Sequence, residues 1–176
     1  ATVYNFDITL SDVDRGVYET FKLKAARQPS ETLAYLLTRV LAFCLQYREG
    51  ISFSKGLADP DEPAVWARDL TGRITLWVEI GTPATDRLHK AAKLGAEVAV
   101  YVHKDPKNFL SQVLGASIFR AEEIKIYCFP QSLFNELEPL IERRTAISLS
   151  VSDAVLYLSV GGRDFTIDLS PHPVSA

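Results

Sequence analysis

Between Arg73 and Val102 the hydrophobic pattern changes period twice, and this alternation constrains the fold more than any other feature of the chain. Ile74, Leu76, Val78 and Ile80 alternate with Thr75, Trp77 and Glu79, the two-residue repeat of a strand. Gly81 follows, then Thr82-Pro83, whose chemistry suits an N-cap and first helical turn. Gly95 suits the position just past a helix end, so residues 83–94 are predicted helical. Val98 to Val102 is a near-continuous apolar run, as expected of a strand covered on both faces. Strand, helix and buried strand in this order predict a parallel crossover and therefore an α/β core.

The flanking segments extend that core. Ser30 is placed to cap a helix whose buried face repeats through Leu33, Leu36, Leu37, Val40, Leu41 and Cys44, with Gly50 as its stop. A short strand at 51–54, a loop from Lys55 to Pro63 and a strand from Ala64 to Arg68 lead through the turn Asp69-Leu70-Thr71-Gly72 into the strand that ends at Glu79-Ile80. Ile124 to Phe129 reads as a further strand and Gln131 to Arg143 as a helix with a kink at Pro139. Residues 2–25 alternate as a β-hairpin, and 145–151, 154–160 and 163–169 as a β-meander. Neither β unit can bury an apolar face alone. The expectation is one domain over 1–176: a mixed central sheet flanked by helices at about 27–130, with hairpin 2–25 and meander 145–169 packed together as an additional antiparallel β layer.

Composition narrows the function classes. Gly and Pro number only 9 each and Cys only 2, which excludes collagen-like and disulfide-stapled chains, and 47% hydrophobic residues exclude a disordered one. With 19 Lys+Arg against 22 Asp+Glu the net charge is -3, which argues against a protein that lives on bulk DNA contacts while leaving room for a local basic groove. Cys44 and Cys128 read as small buried hydrophobes rather than a disulfide. Asp7, Asp12 and Asp14 are wrong for a signal peptide. The apolar run Leu33–Leu45 is broken by Thr38 and Arg39 and is too short to span a bilayer. The expected setting is the cytoplasm, with no membrane partner.

No Gly-rich phosphate loop, CxxC pair, HExxH or Gly-x-Ser-x-Gly is present, and His89, His103 and His172 have no zinc spacing. The carboxylates say more. Glu79 ends its strand on the face that carries Trp77, just before a helix start, where an acid serves as ligand, base or plain strand end. Glu31 falls opposite the core stripe of its helix, where a first-turn acid also complements the helix dipole. Asp61 and Glu62 form a third acidic spot in the loop, and Arg87 and Lys90 flank the apolar face of helix 83–94. Asp69 is accounted for by its turn.

An acid-bearing helix, a strand, a hairpin carrying acids, then helix and parallel strand is the order expected of a PD-(D/E)xK, restriction-endonuclease-like core. Phosphodiester hydrolysis there needs carboxylates converging on Mg²⁺ and a cation beside the attacking water. The chain resembles the YaeQ family of small bacterial proteins through Ala26-Arg27-Gln28-Pro29-Ser30-Glu31-Thr32, Arg39 with Leu41-Ala42-Phe43, and Phe53-Ser54-Lys55-Gly56-Leu57. The likeness continues in Asp61-Glu62-Pro63 with Trp66, Leu76-Trp77-Val78-Glu79-Ile80-Gly81 with Pro83, and Arg87 with Lys90-Ala91. It implies a variant PD-(D/E)xK fold. Gly81 stands where the motif has its lysine, and Ala64 after Pro63 where it has an aspartate. Glu62 or Asp61 is then the replacement acid, and Lys90, Arg87 or Lys55 the migrated cation.

The resulting expectation is a metal-dependent nuclease acting on DNA or RNA. Glu79, Glu62 and Glu31 hold Mg²⁺ or Mn²⁺, and Lys90 or Arg87 orients the nucleophile. The competing expectation is a catalytically silent scaffold that binds nucleic acid or a protein partner.

Overall fold

The computed structural model describes residues 1–55, 59 and 61–173. Strands β1 (Thr2–Asp12) and β2 (Val17–Arg27) form the N-terminal hairpin, followed by α1 (Leu33–Leu45), β3 (Ile51–Phe53), β4 (Val65–Arg68) and β5 (Ile74–Ile80). Then come α2 (Thr85–Lys93), β6 (Glu97–Val102), α3 (Lys107–Gly115), β7 (Lys125–Cys128) and α4 (Gln131–Leu137). The meander β8 (Arg144–Ser152), β9 (Val155–Val160) and β10 (Arg163–Asp168) closes the chain. Of the sequence motif Phe53 to Leu57, Gly56 and Leu57 lie outside the described residues.

The strands form two five-stranded sheets, ordered β3-β4-β5-β6-β7 and β10-β9-β8-β1-β2. In the first, β3-β4-β5 is antiparallel and β5-β6-β7 parallel, so the crossover through α2 joins neighbouring strands. Its two faces bury different partners. Leu76, Val78 and Ile80 face α1, while Trp77 packs with Leu88 and Ala91 of α2, Val98 and Val100 of β6, and Phe109 and Val113 of α3.

The second sheet joins the hairpin to the meander, and the join is not antiparallel as expected. β1 runs parallel to β8, pairing Phe6 with Thr145 and Leu10 with Leu149, so this layer is mixed. A parallel pair needs a long crossover, and the whole segment from β2 to β8 supplies it. The arrangement turns Phe6, Ile8 and Leu10 of β1 and Ile147, Leu149 and Val151 of β8 into the same core.

That core closes on α1, which lies between the two sheets. From Leu36 to Leu45 every residue is buried, including Thr38 and Arg39. The one-sided stripe predicted from periodicity is therefore only part of the buried surface, because a helix sandwiched between sheets has little solvent side. Its cap also differs from expectation: Thr32 Oγ1, not Ser30, accepts the Tyr35 amide at 3.1 Å. Pro29 and Ser30 instead form a turn closed by the Glu31 amide donating to the Gln28 carbonyl at 3.0 Å, which leaves Glu31 just ahead of the helix.

Smaller departures have local causes. α2 begins at Thr85, with Ala84 as N-cap, so Thr82-Pro83 lies ahead of the helix. Gly50 does not stop α1. It sits at φ +83°, where an added Cβ would lie 2.1 Å from the Arg68 carbonyl oxygen, so it permits the close approach of β3 to β4. Helix α4 ends at Leu137 in a 3₁₀ turn rather than kinking at Pro139, which has no amide to continue the ladder. The sequence pattern marks no element between Val102 and Ile124, where α3 caps the second core with Phe109 and Val113. Among the described residues no helix is long and apolar enough to cross a membrane.

Candidate active site

Glu79 is the next-to-last residue of β5, at the carboxyl end of the parallel part of the sheet, where open α/β sheets place their ligand crevices. Beyond it the chain leaves the strand through Gly81 at φ +92°, whose amide donates to the Tyr101 carbonyl at 2.8 Å. Glu79 points to the α2 side, and its residue is only 6% exposed. Its Oε1 accepts from Trp77 Nε1 at 2.8 Å and from Arg87 Nε at 2.5 Å. Both donors land on one oxygen, and Oε2 accepts none from the described residues. Burial pushes the Glu79 carboxyl above its ordinary value, against the opposing pull of Trp77 and Arg87.

Arg87 reaches Glu79 from the first turn of α2. Its Nη2 also donates to the Glu62 carbonyl at 2.5 Å, which ties the acidic loop to the strand end. Glu79, Glu62, Arg87 and Tyr35 of α1 line a pocket of about 180 Å³, with Ala64 and Pro83 in its wall. Burial, then Glu79, then Glu31 push the Tyr35 hydroxyl up to about 12, so it remains a proton donor at neutral pH. Its ring meets His103 edge-on at 5.9 Å between centroids. His103 follows the end of β6 and is 5% exposed. Burial and then Lys104 lower its pKa from 6.5, which favours the neutral imidazole.

The expected site residues therefore separate. Glu79, Glu62 and Arg87 come together. Lys90 is exposed, one turn further along α2, and does not line the pocket. Asp61 is exposed, its amide bonded to Asp59 Oδ1 at 2.8 Å. Glu31 is turned into a pair of its own: Oε2 accepts from Arg39 Nε at 3.0 Å, and Oε1 accepts from Arg39 Nη2 at 3.2 Å and the Gln28 amide at 3.1 Å. Both its oxygens are engaged, so it does not complete a three-acid cage. Among the described residues no group of three or more His, Cys, Asp or Glu is placed to hold a metal ion.

Two carboxylates remain for a divalent ion, and Mg²⁺ typically takes one or two protein carboxylates plus phosphate oxygens and water. Oε2 of Glu79 and the carboxylate of Glu62 fit that requirement in type and number. Tyr35 and His103 were not singled out from the sequence. The available signal was positional: Tyr35 lies one helical turn after Glu31, and His103 directly follows the apolar strand adjoining that of Glu79.

The family model for the YaeQ protein matches residues 1–169. The uncharacterized protein YaeQ of Escherichia coli K12 is 26% identical over 171 residues, covering 97% of this chain and 94% of the relative. The namesake of Salmonella typhi is equally 26% identical with the same coverage. Two crystal structures share the fold. The YaeQ protein from Pseudomonas syringae superposes with a TM-score of 0.88 at 31% identity, over 97% of this chain and 95% of that one. The YaeQ protein from Xanthomonas axonopodis pv. citri gives 0.86 at 27% identity, over 98% of each.

Proposed function

The chain belongs to the YaeQ family, and from the geometry of the Glu79 pocket we propose that it is a metal-dependent phosphodiesterase of the PD-(D/E)xK, restriction-endonuclease-like type, acting on DNA or RNA. One observation carries this reading: a buried carboxylate at the carboxyl end of a parallel strand shares a pocket with a second acid and an arginine. Glu79 and Glu62 are the residues that would hold Mg²⁺ or Mn²⁺. A bound divalent ion supplies polarisation of the phosphate and acidification of a water.

The protein's own groups do the rest. Arg87 takes the place of the lysine that Gly81 leaves vacant. It holds Glu79 by Nε and the acidic loop by Nη2, and it brings positive charge to where charge develops on a phosphate. The Tyr35 hydroxyl, kept protonated, donates toward an anionic oxygen. His103 packs against Tyr35 and sets its ring. Trp77 holds the Glu79 carboxylate in a single orientation.

The second reading, a silent scaffold for nucleic acid or a protein partner, draws on one observation: Arg87 is paired with Glu79 and offsets its charge from within the chain. Cleavage of single- and double-stranded DNA and RNA with Mg²⁺ or Mn²⁺ separates the two, comparing wild type with Glu79→Gln. The expected result is wild-type cleavage that falls by about 100-fold or more in the variant. No cleavage by wild type, or equal cleavage by both, overturns the enzyme reading.

A further inference from the structure

Beside the Glu79 pocket lies a second one of about 240 Å³ with the opposite electrostatic character. Lys24 of β2 and Lys55 after β3 are exposed in its lining, with Gln28 and Ser54 as neutral polar neighbours and no carboxylate among the lining residues. Neither lysine side chain has a hydrogen bond or ion pair to the described residues. Arg39 also lines it, but that guanidinium is held by Glu31 and the Ala26 carbonyl. In a chain of net charge -3, this is a local basic site of the kind that total charge conceals.

The two pockets are neighbours by construction. Ala64 lines both, and its single methyl is all that this position places between them. Tyr35 lines the first and Arg39 the second, one turn apart on α1, which sets these two lining residues roughly 6 Å apart along the helix axis. That offset is on the order of one nucleotide step. An aspartate at position 64, as in the usual motif, would project a carboxylate between the metal-side acids and the lysines. The alanine places no charge there.

We propose that Lys24 and Lys55 form a phosphate subsite for a single-stranded nucleic-acid segment, holding the phosphate adjacent to the one presented to Glu79. The proposal rests on the phosphodiesterase reading for the direction of the strand, not for the binding itself. Two narrow pockets with two unpaired lysines suit one extended strand, whereas duplex binders commonly neutralise many more phosphates. The subsite does not read sequence. Phe53, the aromatic in its lining, has the Arg39 guanidinium 4.6 Å from its ring centre and Phe43 at 5.0 Å, so it offers no open face for a base.

The test is fluorescence anisotropy of the full chain with short labelled oligothymidylate, oligouridylate and a duplex of equal length, in EDTA across a salt series. One neutralised phosphate predicts a log–log slope of about -0.7 for both single strands. Lys24→Gln/Lys55→Gln is expected to bring the slope toward zero and weaken binding on the order of tenfold at low salt. Lys93→Gln/Lys107→Gln, which removes the same charge from exposed positions on α2 and α3, is expected to leave the slope unchanged. An unchanged slope in the first variant, an equal loss in the second, or a duplex bound as tightly as the single strands overturns the proposal. Because no metal or cleavage is involved, a protein that binds in this way yet never cleaves would sink the phosphodiesterase reading and leave the subsite standing.

Discussion

Glu31–Arg39 and Glu79–Arg87 are chemically the same pair, yet the Arg39 side chain is 7% exposed and that of Arg87 25%. In the first, both carboxylate oxygens and the guanidinium are engaged, and the Ala26 carbonyl takes a further bond. In the second, both donors crowd onto one oxygen and the arginine reaches out to a loop carbonyl. Tyr35 stands within the field of both acids. A saturated buried pair fixes the way β2 and α1 meet, whereas an unsaturated one beside a pocket retains an oxygen for something else. The difference is one of hydrogen-bond accounting, not of residue type.

The largest effect is therefore expected at the sealed pair. Arg39→Ala leaves the Glu31 carboxylate buried without its guanidinium and should cost about 3–5 kcal/mol. For a chain of this size that is roughly a 10 °C fall in Tm. Glu31→Leu combined with Arg39→Met removes both charges and should recover much of the loss. Urea and thermal unfolding read both. A cost below about 1 kcal/mol for Arg39→Ala would show that the pair is not the lock its geometry implies.

Glu31 also shows where sequence stops being informative. Its distance from the core stripe of α1 follows from helical periodicity, but that argument assumes that a helix has a wet side. α1 has a sheet on each side, so Thr38, Arg39 and the adjoining Glu31 are all buried. Nothing local to residues 31–45 reveals the second sheet. The β1–β8 pairing is hidden for the same reason, since Phe6 and Thr145 meet only after the intervening chain has folded. By contrast, β5, α2 and β6 carry their own periods and stops, and Glu79 shares its face with Trp77 as two-residue alternation requires. Arg87 was legible as a candidate; its selection over Lys90 depended on where α2 starts, and the Thr82-Pro83 signal places that start two residues early.

A smaller effect is expected at the open pair. Arg87→Ala deprives Glu79 of one donor but leaves Trp77 Nε1 in place, and the replaced side chain is partly solvated. The cost should be about 1 kcal/mol, well below that of Arg39→Ala. Since Arg87 acts to lower the Glu79 pKa, its removal should move that pKa further up, as read from the carboxyl carbon chemical shift. A loss of stability equal to that of Arg39→Ala would erase the distinction between the pairs.

The smallest effect is a dependence on pH, and it has a definite sign. The folded protein holds the Glu79 proton more tightly than the unfolded chain does, because burial raises the carboxyl above its ordinary 4.5. Between 4.5 and the raised folded value, the native state binds more proton than the unfolded state, so stability falls as pH rises. One proton limits the slope to about 1.4 kcal/mol per pH unit, and Trp77 and Arg87 keep the window narrow by favouring the charged form. His103 contributes the opposite sign, since its lowered pKa makes stability rise with pH below 6.5. Subtracting the profile of Glu79→Gln from that of wild type cancels His103 and isolates the acid. The difference should favour wild type most at low pH and decline through the window. A difference that instead grows with pH would mean that Arg87 and Trp77 outweigh burial, making Glu79–Arg87 a second structural lock like Glu31–Arg39.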